Sequence, residues 1–167
     1  SHIASYKQDF IDADLSSRLM QFLNEQSDRF DVNKERGHEV ISFGEAYEYP
    51  GAQAVKPLSK DFPDIISELV TKVKKAYPEA VMNQCLINRY TDGNSMLPKH
   101  SDDEISLVHD SSIFTVSLGS DCCVTFSKKG EQTEEIVETV QKNSVYVMSK
   151  SSQYLWEHRI DPDPSRQ

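Results

Sequence analysis

"IFTVSLGSDCCVTF", residues 113–126, decides the fold class. β-Branched and aromatic residues fill both ends of the stretch, and "GSD" supplies a turn between them. It therefore reads as two short strands, "IFTVSL" (113–118) and "CVTF" (123–126). The reading extends in both directions. "CLINRY" (85–90) precedes it, and "EIVETV" (135–140), "SVYVM" (144–148) and "YLWEH" (154–158) follow, set apart by "TDGN", "KKGE" and "QKN". "EEIVETVQ" also suits a helix, but its place between two strands favours strand. Everything after Pro78 is thus expected to be extended.

Upstream the period changes. Leu15, Leu19, Phe22 and Leu23 recur at helical spacing within Asp12–Gln26, behind an acidic start. A second helix is expected from about Phe62 to Ala76, with Ile65, Ile66, Leu69 and Val73 as its apolar stripe. Pro63 sits in its first turn and Pro78 lies beyond its end. Two helices followed by many antiparallel strands predict an α+β, mainly β protein. Its strands form a sandwich or double-sheet barrel, with the N-terminal helices packed on one side.

The chain has 167 residues, 37% of them hydrophobic and 27% charged, the composition of one soluble globular domain. Ser1-His2 reads as a cloning remnant, so the domain is taken as 3–167. No apolar run approaches a membrane span or a signal peptide, and no membrane partner is expected. The net charge of −9 argues against broad, charge-driven binding to nucleic acid. A local patch from Lys56, Lys60, Lys72, Lys74 and Lys75 stays open, although lysines 72, 74 and 75 read first as a solvated helix face. Cys85, Cys122 and Cys123 form no CxxC pair, which points to a reducing compartment and a cytoplasmic location. The vicinal pair Cys122-Cys123 is read as packing.

"LPKHSDDE" (97–104) sets His100 among three acids. With five His and 27 Asp or Glu in 167 residues, about one His-x-acid match arises by chance. Position adds to the motif. His100 and Asp102 are expected in a loop between strands, and residues i and i+2 share a face in extended chain. His158, at the end of the last strand, supplies a third donor. Two His and one carboxylate with open positions form the facial triad of non-haem Fe(II) oxygenases; zinc accepts the same donors. His38, in "KERGHEV", is expected in a solvated loop, and His109 on the surface.

"CLINRYTDGNSMLPKHSDDE" closely resembles the AlkB family of Fe(II)- and 2-oxoglutarate-dependent nucleic-acid demethylases, in which an N-x-Y strand precedes an H-x-D loop. "IFTVSLGSDCCVTF" resembles the family's next strands, "NSVYVMSKSSQYLWEH" its run into the distal histidine, and "FGEAYEYPG" (43–51) its substrate lid. The "HSDDE" form looks most like the AlkB domains of plant RNA virus replicase polyproteins. The resemblance spans about residues 40 to 160 and implies a double-stranded β-helix, or jelly roll.

His100, Asp102 and His158 match the family's iron ligands, and Asn88 and Tyr90 match residues that contact 2-oxoglutarate. Tyr47 and Tyr49 match lid aromatics that stack on a flipped base. Glu104, with Asp103 as competitor, falls near the acid that reads the exocyclic amine of the base, and Arg89 near a contact to substrate or lid. The implied cofactors are Fe(II), 2-oxoglutarate and O₂. The implied partner is methylated RNA or single-stranded DNA, bound by a domain of a larger polyprotein.

One departure stands out. The family continues past the distal histidine into a strand with two arginines, the first of which binds the far carboxylate of 2-oxoglutarate. Here only Arg159 and Arg166 follow His158, so Arg166 is the candidate and the arginine strand is expected beyond Gln167. Two other classes fit the same pattern: an oxygenase of proteins or small molecules, and a catalytically dead RNA-binding module.

Overall fold

The computed structural model describes residues 4–33, 38–45, 56–90, 97–100, 112–128, 135–148 and 156–160. In chain order these form β1 (Ala4–Lys7), α1 (Ala13–Glu25), β2 (Asp31–Asn33), β3 (His38–Gly44), α2 (Asp64–Ala76), β4 (Gln84–Arg89), β5 (Leu97–His100), β6 (Ile113–Val116), β7 (Cys122–Lys128), β8 (Glu135–Val140), β9 (Val145–Met148) and β10 (Trp156–Ile160). No described helix is long and apolar enough to cross a membrane.

Both helices lie where the periodicity predicts. Asp12 caps α1 by accepting the Leu15 N–H at 2.8 Å, and Leu15 and Leu19 are buried. Pro63 precedes α2, Asp64 opens it, and Lys74 and Lys75 lie in its last turn, where they suit the helix dipole. Arg18 of α1 clamps Glu68 of α2 through two hydrogen bonds of 2.7 Å. That contact holds the Glu68 carboxyl below its usual range.

The strands form three antiparallel groups in the orders β1-β9-β6, β5-β10-β7-β8 and β2-β3-β4. The main core joins the helices to the third group: Ile11, Leu15, Leu19, Phe30 and Ile66 pack with Ile41 and Phe43 of β3, against Cys85 and Ile87 of β4 and Val116 of β6. A second cluster joins the other two groups, with Tyr146 and Met148 of β9 and Tyr6 of β1 packed against Val124 of β7 and Val140 of β8. Sheets facing each other across apolar clusters, with helices outside one of them, are the arrangement of a jelly roll. Strand β9 is buried along its whole length, as the centre of a sheet covered on both sides must be. Among the described residues, β4 pairs with β3 alone and β6 with β9 alone, so each presents an open edge.

Three expectations need correction. Strands β1, β2 and β3 precede α2, whereas the sequence reading placed strands only after Pro78. β1 and β2 are too short and polar to show a pattern. β3 carries apolar residues on both faces and so lacks the period-2 signature. His38 is not in a solvated loop: it opens β3 and is 4% exposed. His100 is not in a loop either, being the last residue of β5. Pro98 argues against a strand there, but β5 is the edge of its sheet, where a missing N–H is tolerated.

Candidate active site

Two strands bring the distant histidines together. β10 runs antiparallel to β5, and His158 is the direct register partner of His100. On its other side His158 is opposite Phe126 of β7. Directly opposed residues lie on one face of a sheet with Cβ atoms about 5 Å apart. A residue or two past the end of β5 the chain reaches Asp102, which lies outside the described residues together with Asp103 and Glu104. The register shifts between His158 and Ile160. Two imidazole residues opposed in register, with a carboxylate two positions along the chain, form a donor set that fits Fe(II) and leaves coordination positions open.

The N-x-Y segment lies on the β3–β4 ladder. Glu39 pairs with Arg89, Val40 with Asn88, Ile41 with Ile87 and Ser42 with Leu86. Ile41, Phe43 and Ile87 turn toward the helices. The alternate residues His38, Val40, Ser42, Leu86, Asn88 and Tyr90 therefore lie on the other face, the one a two-layered jelly roll encloses. Asn88 is exposed and Tyr90 half-buried. On the same face Ser42 Oγ, fully enclosed, and Gln84 Nε2 have no hydrogen-bond partner among the described residues. Buried polar atoms left over on this face suit a polar ligand better than an apolar filling. These residues fit a dicarboxylate such as 2-oxoglutarate.

Arg89 lies on the helix side. Its Nε donates to Glu39 Oε2 at 2.6 Å and its Nη1 to Ser27 Oγ at 3.0 Å, while its guanidinium carbon stands 4.0 Å from the Phe30 ring centroid. The side chain expected from sequence to meet substrate is thus committed to an ion pair and a cation–π contact that tie β4 to β3 and to the segment between α1 and β2. Tyr47, Tyr49, Arg166 and His109 lie outside the described residues. Lys72 extends its ammonium over the Phe10 ring at 5.5 Å, and Lys56, Lys60, Lys74 and Lys75 are exposed.

Sequence reasoning missed His38. It is the buried member of the ladder closest to Tyr90, with ring centroids 5.4 Å apart and planes at 37°. The available signal was its parity with Val40 and Ser42 in "HEVISFG", which becomes visible only once that segment is read as a strand.

The profile of the 2OG-Fe(II) oxygenase superfamily matches residues 10–167. Similar curated proteins include tRNA (carboxymethyluridine(34)-5-O)-methyltransferase ALKBH8 of Mus musculus, 27% identical over 161 residues. Its namesake in Xenopus tropicalis is 23% identical over 158 residues. Each similarity takes in 93% of this chain, which spans about a quarter (24%) of the length of these relatives. Solved structures of like fold include that of OsALKBH1, with TM-score 0.72 and 14% identity, covering 99% of this chain and 86% of that one. A prolyl-4-hydroxylase of Pseudomonas putida gives TM-score 0.61 and 12% identity, covering 98% and 87%. At these identities the structural likeness concerns the fold alone.

Proposed function

The chain belongs to the 2OG-Fe(II) oxygenase superfamily, and from that premise we propose that it oxidatively demethylates N-methylated bases in RNA or single-stranded DNA. It is an Fe(II)- and 2-oxoglutarate-dependent dioxygenase; the nucleic-acid substrate is the proposal. The observation that carries it is the register of His158 against His100. That pairing sets the two ends of the AlkB-like "HSD…H" pattern side by side. Similarity across 93% of the chain to ALKBH8, named for its action on tRNA, supports a nucleic-acid substrate.

In this reading His100, Asp102 and His158 hold the metal, and Asn88 and Tyr90 bind 2-oxoglutarate, with Arg166 the candidate for its far carboxylate. Tyr47 and Tyr49 stack on the unpaired base, and Asp103 or Glu104 accepts from its exocyclic amine. Bound there, Fe(II) with 2-oxoglutarate and O₂ supplies the oxidation: one 2-oxoglutarate and one O₂ are consumed per N-methyl group, yielding succinate, CO₂ and formaldehyde. The chain itself supplies ligand geometry, the ladder face that carries Asn88 and Tyr90, and a stacking platform for a base such as 1-methyladenine or 3-methylcytosine. Bases held by stacking and a few hydrogen bonds need no large basic surface, which suits a net charge of −9. The "HSDDE" form and the cysteine usage extend the proposal to a cytoplasmic domain of a plant RNA virus replicase polyprotein, whose neighbouring domains deliver RNA.

The test is release of formaldehyde and succinate from methylated RNA and DNA oligonucleotides in the presence of Fe(II), ascorbate and 2-oxoglutarate, with His100→Ala as control. Both products, lost in the variant, are expected. The likeness to a prolyl-4-hydroxylase fold makes a proline-containing peptide the proper second arm. Succinate coupled to peptide hydroxylation, with no formaldehyde from any oligonucleotide, would overturn the nucleic-acid reading.

A further inference from the structure

We infer that His38 is a positioning residue for the co-substrate pocket: its ring holds the Tyr90 ring at the angle from which the phenol meets 2-oxoglutarate. The inference rests on the reading that Tyr90 contacts 2-oxoglutarate. Tyr90 is the first residue beyond β4, and its ring packs against one presented by β3. Because Glu39 is opposite Arg89, one step further places His38 across from Tyr90, on the face that also carries Asn88. The two rings meet at 5.4 Å with a 37° tilt.

His38 is itself well fixed. It is 4% exposed and opens a strand paired on both sides, with Asn33 opposite on β2. A rigid ring against a half-buried one transmits its position to the second. Enclosing a polar imidazole at such a place costs desolvation that an apolar residue of the same size avoids, which sets His38 apart from Val40 and Ile41 beside it.

The experiment titrates 2-oxoglutarate by calorimetry into the full chain loaded with Mn(II), which binds without turnover. The variants are His38→Leu, His38→Phe, Tyr90→Phe and His38→Leu/Tyr90→Phe. Tyr90→Phe removes a hydrogen bond to a charged group and should weaken binding roughly tenfold or more. His38→Leu keeps the volume but loses the planar contact, and should weaken it roughly three- to tenfold. His38→Phe keeps a ring and should stay within about twofold, and the double variant should bind no more weakly than Tyr90→Phe alone.

Mn(II) affinity and the thermal midpoint are followed in parallel. In uncoupled succinate formation, KM for 2-oxoglutarate should rise in His38→Leu while kcat stays within about twofold. Unchanged affinity in Tyr90→Phe would sink the reading of Tyr90 itself. Weakened binding in Tyr90→Phe with none in His38→Leu, fully additive losses in the double variant, or a folded His38→Phe as weak as His38→Leu would each overturn the positioning role alone.

Discussion

Replacing Arg89 by Met should destabilise the protein by about 2 kcal/mol while leaving the chemistry intact. Met keeps much of the aliphatic stem and discards the charge. The guanidinium makes a charge-assisted hydrogen bond to Glu39 at 2.6 Å and a cation–π contact to Phe30 at 4.0 Å. Such contacts contribute roughly 1.5–3 kcal/mol and about 0.5–2 kcal/mol. The paired side chains are 26% and 24% exposed, so water takes over part of each role and the lower ends of both ranges apply. For a domain of this size about 2 kcal/mol lowers the thermal midpoint by roughly 4–8 °C.

Chemical denaturation of Arg89→Met, Glu39→Gln and the double variant gives the coupling, expected at about 1 kcal/mol or more. KM for a methylated oligonucleotide should not move, because Arg89 lies on the opposite face from Asn88 and Tyr90. A loss of stability under about 0.5 kcal/mol combined with a tenfold higher KM would refute the argument and return Arg89 to the substrate.

Three further outcomes are expected. His158→Ala and His100→Ala should each abolish stoichiometric Fe(II) or Mn(II) binding in a metal titration while keeping the far-ultraviolet circular dichroism; wild-type metal affinity in either would remove that residue from the centre. Gly44→Ala should cost about 2 kcal/mol or more in urea unfolding. Gly44 has φ +90°, and a Cβ there meets the Asn83 carbonyl oxygen and the Phe62 ring at 2.8 Å. A neutral outcome would mean the Gly44–Asn83 approach is absent in solution.

Burial pushes the Cys85 thiol up to about 11. Its folded-state pKa exceeds its unfolded value, so the folded state holds the proton longer. This contribution to stability is complete below about pH 9 and is lost as pH rises toward about 11. Cys85→Ala should flatten that alkaline slope, and an unchanged slope would assign it to other groups.

Local signals carried much of the architecture. Leu15 and Leu19 on one stripe and Ile66 and Val73 on another are legible because side-chain period depends only on near neighbours along the chain; "SVYVM" is legible from its β-branched and aromatic residues, and "EIVETV" from its place between strands. The order N-x-Y, H-x-D, distal His is likewise a property of sequence alone, and it supplied the proposed metal donors. Tertiary structure decided what depends on strands meeting. His158 stands opposite His100 because β10 inserts between β5 and β7, a pairing that no local pattern encodes. His38 is buried because β3 is flanked by β2 and β4, although its own neighbours in "KERGHEV" are polar. Arg89 and Asn88 are adjacent in sequence, yet one is tied into a salt bridge and the other lies open on the ladder. A strand alternates its faces, and only the helices packed on one of them determine which face is core and which is left for a ligand.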